Sequence, residues 1–74
     1  MSEFSFGLVL KELRQASGLS QEELAFKAGL HRTYISQLER GEKSPSLKTL
    51  QRLAKALGIK PSDILLKAEK KRPS

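Results

Sequence analysis

The sequence predicts a compact all-α domain of five helices, and three observations carry that expectation. Leucine occurs thirteen times and valine once in the 74 residues, a balance that favours helix because β-branched side chains lose rotamer freedom there and unbranched ones do not. Apolar residues recur at helical spacing in successive stretches. Glycines at 18, 29, 41 and 58 follow those stretches, and glycine is the residue that most readily closes a final helical turn.

Taken in order, Phe6, Val9, Leu10 and Leu13 fall on one face of a first helix, predicted over 6–17 after a frayed end at 1–4. Ser5 is its expected N-cap. Ser20-Gln21-Glu22-Glu23 has the form of a capping box, in which serine and glutamate satisfy each other's backbone N–H groups. It opens a second helix over 21–28 that Gly29 stops. His31 is placed to cap a third helix over 32–40. Ser46, after a polar loop with Pro45, caps a fourth over 47–57, with Leu47, Leu50, Leu53, Ala54 and Leu57 on one side. Pro61 suits the first turn of a short fifth helix over 61–66. Residues 67–74 are charged, end in Pro-Ser, and read as a disordered tail.

Composition narrows the function classes. A chain this short supports one domain with a thin stability margin. It has no cysteine, one histidine and one aspartate. Neither a metal-ligand set nor a nucleophilic triad can be assembled from these within one chain. No Gly-rich phosphate loop is present. The expectation is a protein that is not an enzyme and uses no cofactor or metal. The net charge is +6, which suggests an anionic partner. Half of that excess lies in the last eight residues, where Lys67, Lys70, Lys71 and Arg72 outweigh Glu69. This tail either adds non-specific nucleic-acid affinity through counterion release or is an inert solvated end. No apolar run approaches the roughly 20 residues of a membrane span. The N-terminus has no secretory-signal pattern, so the expected location is the cytoplasm, at the nucleoid.

The informative stretch is QEELAFKAGLHRTYISQLER, residues 21–40. Two short helices meet here across Gly29-Leu30-His31. Leu24, Ala28, Leu30, Ile35 and Leu38 have spacings that turn inward together, and Ala25 is small where the helices must cross. Gly29 stands where the turn needs a positive φ. Two crossed helices with a tight turn form the arrangement whose second helix enters the DNA major groove.

The segment resembles the phage-repressor-like (Cro/Xre-type) helix-turn-helix family. The resemblance continues through LKELRQASGLSQEELAFKAGL, YISQLERGEKSPSLKTLQRLAKALGI and PSDIL, and so covers about residues 6–66. It implies a lambda-repressor-like DNA-binding fold. Within that family, RTYIS after a short apolar turn is similar to the small controller proteins of restriction–modification systems.

With Ile35 and Leu38 facing the core, Arg32, Thr33, Ser36 and Gln37 are left outward and are the candidate base contacts. Arg32 suits guanine O6 and N7, Gln37 suits adenine, and Thr33 offers a methyl to thymine or a hydroxyl to phosphate. Taken without its surroundings, such a face is an ordinary solvated one. The resemblance supports these four positions, and Gln21 as a phosphate contact. Helix N-termini attract anions, which adds the start of the second helix at Gln21 and the fourth at Ser46 and Lys48. Arg40, Lys43 and Ser44 lie where the family meets the DNA backbone. The Tyr34 hydroxyl either reaches a phosphate or the ring packs inward.

One such domain reads few base pairs. A homodimer on half-sites about 34 Å apart is therefore expected, paired through Ile59, Ile64, Leu65 and Leu66, more apolar groups than one short helix can turn inward. The functional expectation is a sequence-specific regulator of transcription that binds double-stranded DNA at a palindromic operator. The alternative is an antitoxin that binds a toxin and, secondarily, DNA.

Overall fold

The computed structural model describes residues 2–71. Among them the chain forms α1 (Glu3–Ala16), α2 (Gln21–Ala28), α3 (Arg32–Glu39), α4 (Leu47–Leu57) and α5 (Pro61–Lys70), with no strand. The bounds of α2 and α4 are those the capping residues predict. At α2 the Ser20 hydroxyl accepts from the Glu23 N–H at 3.0 Å, and the Glu23 carboxylate accepts from the Ser20 N–H at 2.9 Å. The Ser20 N–H first, and then the Ser20 hydroxyl, hold the Glu23 carboxyl below its ordinary range. At α4 the Ser46 hydroxyl accepts from the Thr49 N–H at 3.1 Å.

Four ends differ from expectation, one of them the end of α1, at Ala16 with Ser17 as its C-cap. Helix α1 starts at Glu3, because the Ser2 hydroxyl accepts from the Ser5 N–H at 3.1 Å and supplies the cap. Ser5, the expected cap, instead lies buried in the first turn. The start is thus a capped turn from Ser2 on, not a frayed end, and it carries Ser5 and Phe6 into the interior. Helix α3 ends at Glu39, with Arg40 as its C-cap. Helix α5 continues to Lys70, four residues past its predicted end at 66. The physical reason is Ala68. It lies one turn beyond Ile64, and both are fully buried where α5 packs on α1. Lys71 then pairs with Glu12 of α1 at 2.7 Å. The basic segment expected to be a free tail is therefore helical as far as Lys70. The rest of the expected tail, 72–74, lies outside the described residues.

One core joins all five helices. Phe6 and Leu10 of α1, Leu24 of α2, Ile35 and Leu38 of α3, Leu53 of α4 and Ile64 of α5 have no exposed surface. Helix α1 packs on α3 and α5, α2 packs on α3 and α4, and α4 packs on α5. Helices α1 and α3 approach closely at Gly7. A methyl group there would stand 2.4 Å from the carbonyl oxygen of Leu38 and 2.6 Å from that of Glu39. Hydrogen is the only side chain that lets α1 lie this close to the end of α3.

This approach predicts the effect of a single methyl. Gly7→Ala should gain intrinsic helix propensity, yet lose about 1–3 kcal/mol of stability by overpacking against backbone that cannot yield. Urea unfolding measures it, and an unchanged midpoint would show that α1 and α3 are not locked at this point.

Candidate nucleic-acid interface

Helices α2 and α3 are joined by a turn whose geometry is set by its glycine. Gly29 has φ 70° and ψ 36°. The Leu30 N–H donates to the Ala25 carbonyl at 2.8 Å, and the Gly29 N–H donates to that of Phe26 at 3.3 Å. This paired closure satisfies the last carbonyls of α2 and turns the chain sharply into α3. Leu24, Ala25, Ala28, Ile35 and Leu38 are buried between the helices, and Leu30 is half-buried against the same core. His31 occupies the N-cap position of α3 in an extended conformation, but its imidazole makes no capping hydrogen bond. The helix entry is shaped by the turn and not by the histidine side chain.

Burying Ile35 and Leu38 orients the remaining faces of α3. Arg32 and Thr33 are exposed at its start, while Ser36 and Gln37 are half-buried further along. Tyr34 is half-buried and packs against the core. Arg32 and Gln21 come together across the helix pair: both line one shallow groove with Glu22 and Glu23.

The expected phosphate-side residues divide into two groups. Arg40, Lys43, Ser44 and Lys48 are exposed between α3 and the start of α4. Ser46 is exposed too, but its hydroxyl is taken up by its own helix through the N–H and the hydroxyl of Thr49. The start of α4 is thus left with Lys48 and backbone N–H groups as its means of meeting an anion. Arg40 is engaged as well, with Glu42 at 2.6 Å and with the Ser36 hydroxyl.

Two of the residues that hold this surface in place, Arg14 and Glu39, were absent from the expected site. Glu39 is on the recognition helix, yet its side chain is only 3% exposed. Arg14 of α1 donates to it twice, Nε to Oε2 at 2.6 Å and Nη2 to Oε1 at 3.1 Å. Arg14 also donates to the Leu19 carbonyl at 2.9 Å. Gln21 of α2 completes the set, its Nε2 donating to Glu39 Oε1 at 3.1 Å. One carboxylate therefore ties α1, α2 and α3 together and fixes the amide expected at a phosphate. The hydrogen bond that Arg14 donates to Glu39 holds the guanidinium above its ordinary value against the opposing effect of burial. The available signal in the sequence was an acidic residue at the end of a helix expected to face DNA.

At the expected pairing surface, Ile64 is a correction. It is fully buried in its own chain's core and is not available to a second copy. Leu66 is 53% exposed and Leu65 36%, and Ile59 is half-buried against the core. Among the described residues no group of His, Cys, Asp or Glu is arranged to hold a metal ion, and no helix is long and apolar enough to cross a membrane.

A first helix locked onto a helix pair, with the second helix of that pair presenting a polar face, defines a helix-turn-helix domain. Residues 10–64 match the helix-turn-helix family, and the chain belongs to it. It is 48% identical over 61 residues to the control protein C.BamHI of Bacillus amyloliquefaciens, spanning 81% of this chain and 75% of that protein. The crystal structure of the restriction-modification controller protein C.AhdI from Aeromonas hydrophila superposes with a TM-score of 0.82 at 48% identity, covering 84% of this chain and 94% of that one. The clp gene regulator ClgR of Corynebacterium glutamicum superposes with a TM-score of 0.90 at 31% identity, covering 96% and 92%. The chain is a DNA-binding transcriptional regulator of this fold.

Removing the carboxylate tests the network. Glu39→Ala leaves Arg14, whose side chain is only 11% exposed, as an unpaired and largely buried charge. It should lose about 3 kcal/mol, read as a lower midpoint in thermal or urea unfolding. A loss below about 0.5 kcal/mol, the range of exposed pairs, would place the pair at the surface.

Proposed function

We propose that the chain acts as a homodimer that places α3 in successive major grooves of an inverted repeat, in the cytoplasm at the nucleoid, and controls a restriction–modification system. The observation that carries the groove-reading part is the polar face of α3. Arg32, Thr33, Ser36 and Gln37 stand outward on a helix whose opposite face is fully buried. Base reading needs side chains held in register, and here the backbone beneath them is fixed at Gly7 and at Glu39. Arg32 has the reach and the planar fork for a guanine edge. Gln21 on α2, Lys43 in the loop after α3 and Lys48 at the start of α4 suit phosphates that set register without reading sequence.

Pairing is supported by Leu65 and Leu66, which leave apolar surface on α5 that the chain itself does not cover. A dimer contacts two half-sites at once and so turns two modest affinities into one useful one. The controller role follows the resemblance to C.BamHI and C.AhdI. The antitoxin alternative has no observation in its favour.

Selection of bound sequences from a random duplex library tests the reading at physiological salt. It should enrich an inverted repeat with half-sites about one helical turn apart; uniform, salt-labile binding without enrichment would remove it. Arg32→Ala should leave unfolding unchanged and relax preference at one base position per half-site by about 1–3 kcal/mol. Leu66→Glu should shift a sedimentation profile from dimer to monomer. A wild-type chain that sediments as a monomer at high micromolar concentration would overturn the pairing.

A further inference from the structure

We propose that Glu42 is a positioning residue that keeps Arg40 on the groove face of the recognition helix, beside Ser36, and off the phosphate backbone. The proposal rests on α3 entering the major groove. It reassigns a residue that its place in the chain would make a phosphate anchor.

The geometry is a three-point clamp. The Glu42 carboxylate accepts from Arg40 Nε at 2.6 Å and from Nη2 at 3.3 Å. Arg40 Nη1 donates to the Ser36 hydroxyl. A guanidinium has five N–H donors, and three are now committed. Of the two edges that can grip a phosphate with two parallel bonds, the one formed by Nε and Nη2 is already filled by the carboxylate. Ser36 is one turn back along α3, so the guanidinium spans from that turn to Glu42 just past the helix end. Two donors remain, and they sit beside a candidate base-reading side chain.

Charge points the same way. A phosphate anchor works by releasing counterions, and an ion pair of zero net charge releases none. An acid at 42 is a poor neighbour for a phosphate unless it serves a cation there. Glu42 pairs with Arg40 and holds it, while Lys43, the next residue, is left for the backbone. The pair is about half exposed on both sides, so it adds little to stability.

The test is the salt dependence of binding to two duplexes, one of mixed sequence and one recovered by selection with the wild-type chain. Glu42→Gln frees Arg40 to swing onto a phosphate. The slope of log affinity against log salt on mixed-sequence DNA should steepen by about 0.9, with affinity there rising roughly fivefold and preference for the selected duplex narrowing. Glu42→Asp should restore most of the wild-type slope. The double variant R40Q/E42Q has the same net charge as the clamped pair. It should keep the wild-type slope while losing roughly tenfold or more on the selected duplex alone. A double variant whose slope is flatter by about 0.9, with both duplexes weakened together, would show that Arg40 already holds a phosphate in the wild type. An unchanged slope in Glu42→Gln would equally overturn the clamp. If selection recovers no duplex, sequence-specific reading fails, and the slopes on mixed-sequence DNA still decide where Arg40 lies.

Discussion

A carboxylate on a DNA-reading helix is a liability unless something removes its charge from the interface, and the arrangement around Glu39 shows how this fold does so. Arg14 meets it through two hydrogen bonds from the opposite helix, and Gln21 adds a third from α2. The charge is neutralised beneath the surface, and the three helices that define the reading head are joined at one point. Burying an ion pair brings a desolvation penalty that close pairing must offset. The bidentate geometry and the additional amide donor supply that offset. The pair also specifies geometry: it is satisfied only when α1, α2 and α3 stand in one relative orientation.

Gly7 sets the other end of the same constraint. It lets α1 approach the carbonyls of Leu38 and Glu39, the last turn of the recognition helix. Apolar packing through Ile35 and Leu38 supplies non-directional stabilisation. The glycine contact and the ion pair add direction, fixing how far α3 is rotated and so which residues face outward. In a domain with few residues to spare, the base-side positions gain their rigidity from contacts on the hidden side of the helix.

The outer surface is organised by charge. Cations and anions alternate across it: Arg32 borders Glu22 and Glu23 in one groove, and Arg40 is held by Glu42. Such interleaving limits indiscriminate attraction to DNA and leaves selectivity to the side chains that can reach base edges. The extension of α5 has a separate consequence. By carrying Lys67 and Lys70 on an ordered helix, it places part of the basic excess at defined positions on the side of α1, where Lys71 meets Glu12.

The fold was legible because its signals are local. Capping serines at 20 and 46, glycine stops at 29 and 58 and the spacing of leucines act within one or two turns of chain, and they set the extents of α2 and α4. The same locality misled at the ends. Ser2 and Ser5 have equal capping chemistry, and only burial of Ser5 and Phe6 decides between them. Ala68 carries too little hydrophobicity to announce a helix, yet it completes α5 once α1 is there to receive it. The outward set on α3 followed from periodicity. The supports beneath it, Gly7, Arg14 and Glu39, did not, because each acts on a partner from a different helix. The sequence by itself determined the number of helices, the turn between α2 and α3 and which side of α3 faces away from the core, since these depend on neighbours along the chain. Tertiary structure alone decided that Ile64 belongs to the core and not to a pairing surface, that Glu39 is hidden and Arg40 is held, because those outcomes depend on distances between helices that no local pattern encodes.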